Sequence, residues 1–224
     1  MLKGEQVSLT DDRHVFVLRD ASFQVRAGEI VGIAGVEGSG HHELLLAMGQ
    51  RQPPHAGRIH GPAATSVIPE DRHRDAVVLD FTLAENAAVR NAGSRRGLVR
   101  WKRVSERVAG FLERFDVRAP GPTTRMRALS GGNQQKFVLA RELDADPELI
   151  IAENPTRGLD IRATAFVREQ LRAARARGAA VVVYSSDLDE IMDLADRVLV
   201  VHSGAVSEVP LDRARIGAAM LGAA

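Results

Sequence analysis

The residues whose types and order could do chemistry are concentrated in Leu129 to Phe137, which reads LSGGNQQKF. Ser130 is a good helix N-cap, and Val138, Leu139, Ala140 and Leu143 behind it continue a helical pattern. Gly131 and Gly132 leave the first backbone N–H groups bare. Bare amides at a helix start, reinforced by the helix dipole, form a ready anion site. Ser-Gly-Gly alone fits an ordinary capped surface helix equally well. The full run LSGGNQQ is more specific, because a glycine-rich loop precedes it in the chain and an apolar strand follows it.

That earlier loop is Gly35-Val36-Glu37-Gly38-Ser39-Gly40-His41-His42. It lies between the continuous apolar run Ile30 to Ala34 and a helical pattern through Leu44, Leu45, Leu46 and Met48. Strand, glycine loop and helix together make a phosphate cradle, in which backbone amides wrap the anion and the helix dipole adds to them. The pattern G-x-x-x-x-G-K-[ST] then calls for a lysine on the phosphates and a hydroxyl on Mg²⁺. Here His41 takes the lysine position and His42 the hydroxyl position, so Gly35, Gly38, Ser39 and Gly40 keep the cradle without its cation. Imidazole is also a poor ligand for Mg²⁺, which takes oxygen donors. Adjacent helical histidines face apart, and no cysteine or spaced histidine completes a transition-metal set.

The run LSGGNQQ in this order resembles the signature motif of the ATP-binding cassette (ABC) family, and the resemblance covers roughly Val7 to Val209. It implies an α/β fold: a P-loop NTPase core with an antiparallel β subdomain and an inserted helical subdomain. It also implies that Ser130, Gly131, Gly132 and Gln134 serve ATP held by a partner cassette rather than by this chain. The strand Glu148 to Ala152 ends in Glu153-Asn154-Pro155-Thr156, aligned with the family's Asp-Glu-Pro. By that alignment Glu153 replaces the Mg²⁺-holding aspartate, and Asn154 replaces the catalytic glutamate with an amide that cannot accept a proton. Asp160, in Arg157-Gly158-Leu159-Asp160, is placed to reach across a dimer, and Ser186 stands where the family has a γ-phosphate-sensing histidine. Asp11, Asp12 and Arg13 occupy the neighbourhood of the usual adenine-stacking aromatic, for which His14 and Phe16 are poor substitutes by position. The alternation of Pro69-Glu70-Asp71-Arg72, LSGGNQQKF, Pro155-Thr156-Arg157-Gly158 and Ser185-Ser186-Asp187 looks like the C-terminal cassette of two-cassette sugar or nucleoside importer ATPases. The Ala152-Glu153-Asn154-Pro155 form points toward the nucleoside branch.

The elements that must position these residues are partly legible. Alternation from Val7 to Val25, with Val15, Val17, Ala21, Phe23 and Val25 on one face, reads as antiparallel strands. The stretch Pro53 to Pro62 reads as a Pro/Gly loop. Thr82-Leu83-Ala84-Glu85 is a capping box, and Trp101 to Phe115 an amphipathic helix with an arginine-rich polar face. A single cassette over 1–224 is expected, with the α/β core and β subdomain at about 1–71 and 144–224 and the helical subdomain at about 72–143. A helix from Ile161 to Arg177, a strand from Ala179 to Tyr184, two last strands about Gly204 and a short tail helix complete it.

Composition bounds the function. With 30 basic and 29 acidic residues the net charge is +1, which gives no field for nucleic acid. There is no cysteine, hence no disulfide framework or thiolate site. The start MLKGEQVSL has no signal-peptide core, and no run approaches the ~18 apolar residues of a membrane span. The expectation is a peripheral protein at the cytoplasmic face of a membrane, docked to permease subunits and indirectly to a solute-binding protein. The cofactors implied are ATP, and Mg²⁺ weakly or not at all at the chain's own loop. Two other readings stay open: an active ATPase with His41 and Glu153 in altered roles, and a cassette without a membrane partner.

Overall fold

The computed structural model describes residues 1–90, 92–93 and 96–223. It divides into two compact units: Met1–Val67 with Asp146–Pro155 and Arg168–Ala224, and Ile68–Ala145 with Thr156–Val167.

The first unit begins with β1 (Leu2–Thr10) and β2 (Phe16–Val25), paired antiparallel. Leu2, Val7, Leu9, Leu18, Ala21, Phe23 and Val25 are buried, as a half-buried alternating pair requires. Val15 does not join them and is 59% exposed. The cause is Asp11, whose carboxylate accepts from the amides of Arg13 and Val15 and holds a turn, so the strand starts only at Phe16.

After β3 (Ile30–Gly35) and α1 (His41–Met48), the segment expected as a loop contains an edge strand, β4 (Ala56–His60), on the far side of β1. Its residues are mostly exposed, so no apolar alternation betrays it. Next comes β5 (Thr65–Ile68). In the second unit follow α2 (Arg72–Asp75), α3 (Leu83–Val89), α4 (Trp101–Arg114), a 3-10 turn at Met126–Ala128, and α5 (Gly131–Leu143). The capping box is present: Thr82 Oγ1 accepts from the Glu85 amide, and Glu85 accepts from the Thr82 amide at 2.7 Å. Phe111 and Phe137 meet edge to face at 6.3 Å and anchor α4 to α5.

The remaining elements are β6 (Leu149–Glu153), α6 (Ile161–Ala176), β7 (Ala180–Tyr184), α7 (Leu188–Leu194), β8 (Arg197–His202), β9 (Ala205–Val209) and α8 (Arg213–Met220). The larger sheet has the order β5-β6-β7-β3-β8-β9, with β6, β7, β3 and β8 parallel and β9 antiparallel. Its central strands are Val/Ile runs buried on both faces, the composition a doubly covered parallel sheet demands. One face packs with α1 and the small sheet, the other with α7 and α8. Among the described residues no helix is long and apolar enough to cross a membrane.

Candidate functional site

The glycine loop leaves the C-terminal end of β3, a central strand, where an open parallel sheet receives its ligands. Gly40 has φ +96°, and a Cβ there would lie 2.7 Å from Leu18 Cδ1 and 2.8 Å from the Val17 carbonyl. Only glycine turns the chain into α1 at that point. His41 does not face outward as a lysine substitute should. It is buried, its ring stacks on Tyr184 at 4.1 Å and 14°, and its Nδ1 lies 3.1 Å from Ser39 Oγ. Burial holds its pKa below the usual histidine value despite the carboxylates of Glu37, Glu153 and Glu43. A buried ring stacked on a tyrosine is not aimed as a phosphate clamp.

His42, one residue on, donates from Nδ1 to Glu153 Oε1 at 2.7 Å. The residues at the two Mg²⁺ positions of the family are thus bonded to each other. Mg²⁺ needs several oxygen donors at about 2.0–2.1 Å in octahedral array. A ring N–H and a carboxylate oxygen already accepting from it do not fit that ion. Asn154 is buried with φ +42°, and its amide donates to the Tyr184 carbonyl at 2.8 Å. Its Oδ1 accepts from the Ser186 amide at 2.8 Å, which fastens the loop after β7. Asn154 therefore holds backbone at the position where the resemblance expects a base. The Ser186 side chain is exposed. Beside the loop, Phe16 is 37% exposed and lines a cleft of about 530 Å³ with Asp11, Val36, Glu37, Gly38 and Ser39. Arg19 lies over its ring at 4.3 Å. The Asp11 turn places Phe16 at the rim of this cleft.

The signature segment is built differently. Ser130 caps α5, its Oγ accepting from the Asn133 amide at 3.5 Å and from Asn133 Nδ2 at 3.0 Å. Ser130 is exposed, and its O–H remains free to donate outward. Within the described residues the amides of Gly131 and Gly132 donate to nothing. Gln134, expected among the outward residues of the motif, is instead buried. Its Nε2 donates to the carbonyls of Met126 and Leu129, both at 3.2 Å. Its Oε1 accepts from His73 Nε2 at 2.8 Å and from Arg72 Nε at 3.3 Å. With both donors and both lone pairs used, it rivets the helix start to the turn Asp71–Asp75. Asp71 caps that turn through the amides of His73 and Arg74, and accepting them holds its carboxyl below the usual carboxylate range. Glu70 pairs with Arg157 across the same surface. Asp160 is exposed, and its Oδ1 accepts from the Ala163 amide at 2.8 Å at the head of α6.

A glycine loop on a central parallel strand, a carboxylate at the end of another strand of the same sheet and a serine-capped glycine helix define an ATP-binding cassette. The profile of the ABC transporter family matches residues 18–157, and the chain belongs to that family. It is 36% identical over 93% of its length to the nucleoside import ATP-binding protein NupA of Lactococcus lactis subsp. cremoris. It is 38% identical over 92% of its length to the guanosine import ATP-binding protein NupO of Bacillus subtilis. The chain spans only 45% and 44% of those two relatives. A dimeric ATP-binding cassette bound to ADP and Pi, in a post-hydrolysis state, superimposes with a TM-score of 0.79 at 22% identity, covering 95% of this chain and 99% of that one.

Proposed function

We propose that this chain is the non-hydrolysing cassette of an importer for nucleosides or simple sugars, and that it completes ATP hydrolysis in a second cassette, fused or separate. The names of NupA and NupO support the solute class. In this reading the protein lies at the cytoplasmic face of the membrane on permease subunits, which a solute-binding protein feeds. The α/β core at about 1–71 and 144–224 carries its own weak ATP loop, with Mg²⁺ weak or absent, and the helical part at about 72–143 carries the signature. Asp160 reaches toward the second cassette.

The observation that carries this reading is a contrast in free donors. Ser130, Gly131 and Gly132 present an unsatisfied O–H and two unsatisfied amides. Oriented donors of this kind stabilise phosphate charge most in a closed, water-excluded site. At the chain's own loop His41 is stacked away and Asn154 is committed to backbone. General-base loss alone removes about 10²–10⁴ in rate.

The test uses the assembled transporter. Ser130→Arg fills the space before the helix and should abolish ATPase and uptake, while the chain's unfolding free energy falls by no more than an exposed cap contributes, about 1 kcal/mol. The purified chain alone should release phosphate no faster than a blank. Normal transport by the Ser130→Arg assembly would sink the reading.

A further inference from the structure

We propose that the His42–Glu153 pair stands in for the divalent cation, so that nucleotide held by this chain's own loop is held free of metal. The inference rests on reading Gly35 to His42 as a nucleotide site.

His42 lies in the first turn of α1 directly after the glycine loop, and Glu153 closes β6. Oε1 of Glu153 accepts the Nδ1–H at 2.7 Å, and this holds whether the imidazole is neutral or protonated. An aspartate would be one methylene shorter, and glutamate is what spans the gap to a ring. The carboxylate side chain is 13% exposed and the imidazole 43%, so the ring forms the wetter half of the pair. A half-buried carboxylate needs a counterpart, and here that counterpart is covalently part of the chain. The cradle itself persists: Gly38 and Gly40 keep their left-handed backbone, at φ +78° and +96°. A phosphate can therefore enter a loop whose cation position is already filled by protein.

The consequence is a reversed metal dependence. Free ATP is chelated by Mg²⁺ in solution, and a site whose one carboxylate is already bonded to an imidazole, with no hydroxyl beside it, gains little from the complex. ATP binding to the purified protein is measured by calorimetry in excess Mg²⁺ and in EDTA. The expected result is an affinity that Mg²⁺ leaves unchanged or weakens. Tightening by Mg²⁺ of more than about threefold, a difference calorimetry resolves easily, overturns the proposal. Absence of nucleotide binding under both conditions overturns it too, while leaving the signature-helix role to be judged by Ser130→Arg. A second arm combines His42→Ser with Glu153→Asp, which returns a hydroxyl and the shorter carboxylate. In this variant Mg²⁺ should tighten ATP binding by about tenfold, and Mn²⁺ in place of Mg²⁺ should give a protein-bound paramagnetic resonance signal that the parent lacks. A folded double variant indifferent to both ions overturns the proposal, because the pair would not then be what keeps the ion out. If the double variant unfolds, the parent's response to Mg²⁺ decides alone.

Discussion

At the glycine loop the polar side chains are turned toward each other. His41 lies between Ser39 and Tyr184, His42 on Glu153, and Asn154 on the Ser186 amide. At the start of α5 the order is inverted: the bonds run behind the helix, through Gln134, and the front carries donors with no acceptor among the described residues. Both regions start a helix at glycines, so the backbone physics is the same. What differs is where the side chains send their hydrogen bonds. A site that satisfies itself is stable without a ligand and gains little from one. A site satisfied only from behind holds its front rigid and leaves its energy for a ligand, which is preorganisation in its simplest form.

The sharpest way to break this contrast is at Gln134. Gln134→Leu strands the carbonyl of Leu129, takes one of two donors from the carbonyl of Met126, which keeps the Leu129 amide, and removes the acceptor for Arg72 and His73. A stranded buried group costs about 1–3 kcal/mol, and water can reach the exposed His73, so a loss of about 1–3 kcal/mol is expected in urea unfolding. If Gln134 instead faced a partner's nucleotide, the variant would keep its stability and lose only the partner's ATPase. A stability change below about 0.5 kcal/mol, the scatter of ordinary surface substitutions, would remove the rivet.

Gln134 also shows what the sequence offered and what was overlooked. It shares a helical stripe with Phe137, Val138 and Arg141, all buried, so its period alone placed it on the inner face. The Ser130 cap and the Thr82–Glu85 box were legible because their partners lie three residues away. The stacking of His41 on Tyr184 and the bond from His42 to Glu153 join segments far apart in the chain, and no local pattern encodes them. Position in the motif identified both histidines as substitutions but not what they do instead. β4 escaped notice because an exposed edge strand needs no apolar face. The place of Phe16 at the cleft is set by the Asp11 turn and not by the strand period.

A second pair of substitutions sharpens the contrast within the glycine loop itself. Gly38 and Gly40 both have positive φ, but a Cβ at Gly38 meets open space whereas one at Gly40 strikes Leu18 and the Val17 carbonyl. Gly38→Ala therefore carries only the left-handed penalty of about 1–2 kcal/mol. Gly40→Ala adds overpacking of about 1–3 kcal/mol. Thermal melts should rank the two variants in that order. Equal losses would mean that the loop relaxes freely and that its cradle shape is not enforced by β2.

The smallest effect concerns His41, and it tests whether the loop has given up its cation. Burial lowers the His41 pKa, with Glu37, Glu153 and Glu43 opposing and His42 adding to the shift. In the unfolded chain the ring takes its proton near the ordinary value of about 6.5. The folded chain takes it only at lower pH, so between the two values the unfolded state binds more protons and stability rises with pH. Read downward, stability is full above about pH 6.5 and falls as the solution is acidified, levelling off below the folded-state value. The melting temperature should therefore drop from pH 7.5 to pH 5.5, well above the range in which the lowered carboxyls of Asp71 and Glu85 titrate. His41→Gln cannot titrate and should flatten that slope by the His41 contribution, whatever it does to the plateau. A charged His41 reaching for phosphate would behave the other way: acid would strengthen ATP binding in the parent, and His41→Gln would abolish the gain. Melting curves and ATP titrations at both pH values, on both proteins, separate a ring stacked on Tyr184 from a clamp.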